Sequence, residues 1–60
     1  MSRKQIIKKW ERLLSRYGEI DIWDDDIKPN LHLMSTPYIY RAYQLDKEFY
    51  EEREKAGGSF

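Results

Sequence analysis

The sixty-residue chain has no cysteine, one histidine, three glycines and two prolines. Without cysteine it can form neither a disulfide nor a thiolate metal site. A lone histidine leaves no second imidazole to complete a zinc site and no oriented partner for acid–base work. Neither a Gly-rich phosphate loop nor a nucleophile elbow can be traced. Nor does any apolar run approach the ~20 residues of a membrane span. The opening stretch, MSRKQIIKKWERLL, is basic but lacks the unbroken apolar centre of a signal peptide. These absences point away from an enzyme, a cofactor, a bound metal and a membrane. They lead to the expectation of a soluble, cytoplasmic protein.

A chain this short buries only about 60% of the surface its unfolded form exposes. Its core is therefore expected to supply no more than ~3–5 kcal/mol. Charge is balanced overall, with 11 basic and 11 acidic residues. Along the chain it is strongly segregated. Residues 1–17 hold six Lys/Arg and one Glu. Residues 19–26 hold Glu19, Asp21, Asp24, Asp25 and Asp26 with no base. A neutral whole built from opposed blocks suggests charge complementarity, within the fold or with a partner.

The spacing predicts a first helix over residues 2–17. Ser2 and Gln5 stand as a capping box, and Met1 and Ile6 occupy the staple positions. Gly18 stands where a left-handed residue commonly ends a helix. Ile6, Trp10, Leu13 and Tyr17 form an apolar stripe, widened by Ile7 and Leu14. Lys8, Lys9, Arg12 and Arg16 cluster on another side as a basic face.

A second helix is predicted from the Ser35–Thr36–Pro37 start, since Pro suits a first turn. Gly57 and Gly58 are expected to end it, which makes 1–56 one domain and 57–60 a tail. This helix carries two apolar stripes. Tyr38, Ala42, Leu45 and Phe49 share the 4-3-4 spacing of the first helix and are expected to face it. Ile39, Tyr43 and Tyr50 lie roughly 110° around.

Between the helices, residues 19–34 are expected to cross over irregularly, with Ile22, Trp23, Ile27, Leu31 and Leu33 filling the gap. The fold class is then mainly α, a two-helix hairpin with a long packed crossover. The alternative is α+β, because EIDIW and NLHLM both alternate and could pair as a β-hairpin over 20–33.

The aspartate run fails as a calcium loop. Counting from Asp24, Lys28, Pro29 and Ser35 fall where a ligand, the turn glycine and the bidentate Glu are required. Asp24–Asp26 are therefore expected to form a solvated acidic turn. His32, set between leucines, is expected to face solvent.

Nine aromatics in sixty residues exceed what the core clearly needs, and aromatic residues dominate binding hot spots. The expected function is a small regulatory or adaptor protein of inhibitor or antirepressor type. Size alone gives it the company of phage-encoded host inhibitors and bacterial antirepressors. It would bind a protein partner through Ile39, Tyr40, Tyr43, Asp46 and Tyr50. A second expectation is a nucleic-acid regulator using Lys8, Lys9, Arg12 and Arg16, or the start of the second helix. A third is a homo-oligomeric structural protein, such as a homodimer, with the Ile39/Tyr43/Tyr50 stripe buried against its own copy.

Overall fold

A computed structural model describes residues 2–57. Helix α1 spans Arg3–Arg16. A single turn, α2, spans Ile20–Ile22 and runs into a π-helical turn at Trp23–Ile27 and a 3-10 helix at Lys28–Leu33. Helix α3 spans Thr36–Gly57. The mainly α fold, two helices with a long packed crossover, is therefore realised, and no strand occurs among the described residues. Helices α1 and α3 point the same way, with Arg3 against Thr36, Trp10 against Asp46 and Tyr17 against Glu54, and the crossover carries the chain back between them. Met1 and residues 58–60 lie outside them, so the staple and most of the expected tail do too. Gly57 belongs to α3. Among the described residues, no helix is long and apolar enough to cross a membrane.

Both ends of α1 close as the sequence predicts. The Ser2 hydroxyl accepts from the Gln5 amide at 3.3 Å, and the Gln5 side chain accepts from the Ser2 amide at 3.1 Å. At the other end, Gly18 has φ +76°. That geometry lets the Glu19 amide reach the Leu14 carbonyl at 2.7 Å and the Gly18 amide reach Ser15 at 3.2 Å. These two bonds form a Schellman cap. For α3, the Ser35 hydroxyl accepts from the Tyr38 amide at 3.3 Å.

The crossover is helical, neither irregular nor a hairpin of strands. Its true period shows in Ile20, Trp23, Ile27 and Leu31, which turn inward at intervals of three and four residues. Trp23 is buried and the other three are half-buried, while Ile22 and Leu33 point to solvent. Pro29 explains the changes of pitch. It has no N–H, and its ring collides with a carbonyl one turn back. The backbone widens first, with the Lys28 amide reaching the Trp23 carbonyl. It then tightens to 3-10 turns, the form short connectors use. Asn30 Nδ2 donates to the Asp26 carbonyl at 2.7 Å. That is the acceptor the Asn30 amide would meet in an α-helix.

The molecule measures 40 × 23 × 14 Å. Its core is accordingly a seam, made of Ile6, Trp10, Leu14, Trp23, Ile39 and Tyr50. The Trp10 and Trp23 rings meet edge-on, with centroids 5.6 Å apart. Trp10 Nε1 donates to Asp46 Oδ2 at 2.8 Å, whereas Trp23 Nε1 is buried with no acceptor among the described residues. Arg3 ties the third side. Its guanidinium donates to the carbonyls of Leu31 at 2.6 Å and Met34 at 2.8 Å, and to Thr36 Oγ1 at 3.4 Å.

The expected pairing of stripes is reversed. Ile39 and Tyr50 are in the core and Tyr43 is packed against it. Tyr38, Leu45 and Phe49 are instead 58%, 57% and 58% exposed. Spacing alone cannot choose between two apolar stripes on one helix. Here the choice goes with Asp46, which sits beside Ile39 and Tyr50 on the helical wheel and accepts the Trp10 indole proton.

Trp10→Ala should cost ~3–5 kcal/mol, comparable with the whole stability of so small a domain. Trp10→Phe and Trp23→Phe separate the polar contribution. The first loses a bond to a carboxylate, worth ~1.5–3 kcal/mol. The second loses no bond and removes an unpaired donor. Urea unfolding should show Trp10→Phe less stable than Trp23→Phe by at least about 1 kcal/mol. Equal midpoints would contradict this assignment.

Gly18→Ala tests the cap. A Cβ there meets nothing within 4 Å, so the cost is backbone strain alone, ~1–2 kcal/mol. Gly18→Asn should recover part of it, because Asn tolerates the left-handed region. Thermal melts of the two variants give the comparison.

Candidate functional site

Of the residues first expected to meet a partner, most prove structural. Ile39 is fully buried and Tyr50 nearly so. Tyr43 is half-buried against the core. Asp46 is half-buried and committed to Trp10. Only Tyr40, 39% exposed, faces outward. The Ile39/Tyr43/Tyr50 stripe therefore cannot serve as the docking or dimer face, because it closes the chain's own core.

The face left open is the other one. Tyr38, Ala42, Leu45 and Phe49 share one side of α3, and all but Ala42 are more than half exposed. Residues 38 to 49 span ~16 Å of helix at 1.5 Å per residue. Phe49 is backed by a core ring, and Tyr38 borders an open groove. The Phe49 ring stands edge-on to Tyr50 with centroids 5.2 Å apart. Tyr38 lines a cavity of about 410 Å3 together with Leu33 and Met34. Arg41, Glu48 and Glu52 lie along one flank of the stripe and Arg53 along the other. All four are exposed. The residues of this face are recognisable from their spacing, but that spacing predicts an inward face, against α1, and not an exposed one.

Lys8, Lys9, Arg12 and Arg16 are all exposed, as the amphipathic spacing of α1 predicts. Arg16 lies 3.8 Å from Glu54, the one ion pair among the described residues. With both side chains more than half exposed, solvent screening leaves such a pair ~0–1 kcal/mol. Arg16 also lies 5.6 Å from the centroid of the Tyr17 ring. The Asp24, Asp25 and Asp26 side chains and His32 are exposed. Among the described residues, no group of His, Asp or Glu side chains is placed to hold a metal ion.

Two tyrosines join the C-terminal parts of α1 and α3. The Tyr17 and Tyr50 rings stack at 5.0 Å with planes 13° apart. The Tyr17 hydroxyl donates to Glu54. That bond holds the Tyr17 phenol above its ordinary value, with burial and the Glu54 charge adding to it. Tyr50 is raised chiefly by burial, then by Glu19 and Asp46. Comparison with protein-family models, curated proteins and solved structures finds no match to this chain.

The raised phenols predict an alkaline limit to stability. In the unfolded chain both ionise near pH ~10, and in the folded chain they ionise later. The folded state then holds more protons, so stability falls with rising pH. The contribution is complete below pH ~10 and is lost as pH rises through the folded values. Tyr17→Phe with Tyr50→Phe should flatten this alkaline decline in urea titrations, and an unchanged slope would show that other groups cause it.

Proposed function

We propose that this chain is a small regulatory or adaptor protein that binds another protein through the Tyr38, Ala42, Leu45 and Phe49 face of α3. One observation carries the reading. A chain with barely enough apolar surface for its core leaves three large apolar side chains, on one helix face, more than half exposed. Contiguous exposed apolar surface on a small protein marks an interaction site more often than scattered single residues do.

The physics of this face suits a helix or groove of a partner. Its exposed anchors, Tyr38, Leu45 and Phe49, recur at intervals of seven and four residues, the period by which a helix lies along an apolar groove, while Ala42 between them packs inward against the core. Phe49 and Tyr38 bring large area with few rotatable bonds to freeze. The charges on both flanks are of mixed sign. Rim charges govern encounter and choice of partner more than residence time.

Leu45→Asp with Phe49→Asp is the decisive variant. Neither side chain is buried, so helicity and melting should survive. Capture of the partner from extract of the source cell should be lost, since central anchors each contribute ~1–3 kcal/mol. Capture of the same protein by the folded variant would refute this face. Sedimentation supplies the other control. A wild-type dimer that the double variant dissolves would put a second copy on the face in place of a different protein.

A further inference from the structure

A second surface, separate from the apolar face of α3, lies where α1 and α3 run side by side. It is a groove of about 280 Å3 walled by four cations, Lys9, Arg12, Arg16 and Lys47, against a single carboxylate, Glu51. Its floor is Leu13, Tyr17 and Tyr43, all half-buried. Lys8 continues the basic surface beside Lys9 and Arg12 along the outside of α1. Among the described residues, Lys8, Lys9, Arg12 and Lys47 form no ion pair.

We infer that this groove takes an acidic segment of a partner protein. The segment's carboxylates would meet Lys9, Arg12 and Lys47, and an apolar side chain between them would rest on Leu13 and Tyr43. Charge complementarity carries the choice of occupant. Arg16 is engaged by Glu54 and one carboxylate, Glu51, lines the groove, but Lys9, Arg12 and Lys47 form no ion pair among the described residues. The excess of unpaired cations repels itself, and an anionic ligand relieves that repulsion.

Two observations favour an acidic protein segment over a nucleic acid. Sequence-tolerant binding of single strands uses aromatic faces open for base stacking. Here one face of Tyr17 is covered by Tyr50 at 5.0 Å, and Tyr43 is packed against the core. The chain is also neutral overall and exposes Asp24, Asp25 and Asp26. An extended polyanion would feel that repulsion, whereas a short segment confined to the groove would feel mainly its walls.

The site is independent of the apolar face, so its test uses a different probe. A fluorescein-labelled peptide, Glu-Glu-Glu-Leu-Glu-Glu-Glu, is titrated with the full chain and followed by anisotropy at low salt. Saturable binding is expected, weakening as salt rises. Arg12→Glu with Lys47→Glu should weaken it at least about tenfold, an effect on the order of 1.4 kcal/mol. Lys9→Ser with Arg12→Ser should weaken it less, without the burden of reversed charge. Replacing the peptide's leucine by serine should also weaken it, which a purely ionic contact would not show. Leu45→Asp should leave the titration unchanged, separating this site from the docking face. The inference is overturned by any of three results. These are no saturable binding at low salt, equal binding by the charge-reversed variant while circular dichroism shows it folded, and tighter binding of a labelled oligothymidylate than of the peptide.

Discussion

The indole of Trp10 is the contact on which the rest of the arrangement depends. Its ring meets Trp23 from the crossover edge-on at 5.6 Å, and its N–H reaches Asp46 on α3 at 2.8 Å. One side chain of α1 thus joins both of the other segments. The apolar contact is nondirectional, but the hydrogen bond is not. A bond to a carboxylate is worth ~1.5–3 kcal/mol, a large share of what a domain this size can muster. It selects one rotation of α3 about its own axis. With Asp46 turned toward Trp10, Ile39 and Tyr50 go inside and Leu45 and Phe49 go out.

That rotation has a functional consequence because the molecule is so thin. A body 14 Å through has no second layer to cover whatever a helix does not bury against its neighbour. The stripe rejected by the core therefore stays on the surface. On the other side of the molecule, the basic face of α1 meets Lys47 of α3 along a shared groove. The two surfaces differ in kind, one apolar and one cationic. The proposed docking face and the proposed acidic-segment groove lie on these two separate surfaces.

Much of the fold was legible because it rests on local rules. The Ser2/Gln5 box, the left-handed Gly18 and the Ser35 cap all follow from neighbours a few residues apart. The crossover was harder to read. Ile20, Asp21 and Ile22 alternate like a strand, but three residues cannot separate a period of 2 from one of 3.6. The longer series Ile20, Trp23, Ile27, Leu31 carried the helical signal, and Pro29 masked it by breaking the regular ladder. The staple made by Arg3 was not legible at all. Its acceptors include two backbone carbonyls, of Leu31 and Met34, and backbone acceptors leave no mark in a side-chain pattern.

By itself the sequence determined that this would be a mainly α fold of two capped helices joined by a packed crossover, with a basic face on its first helix and two apolar stripes on its second. Those features depend on residue type and spacing along one strand of chain. Only the tertiary structure decided which stripe became core and which became surface. The two stripes are close in apolar content, so the difference lies in the fit of Asp46 to Trp10 and of Tyr50 to Tyr17. Those pairs are 36 and 33 residues apart in the chain, and no local pattern in the sequence records which long-range partner a side chain will meet.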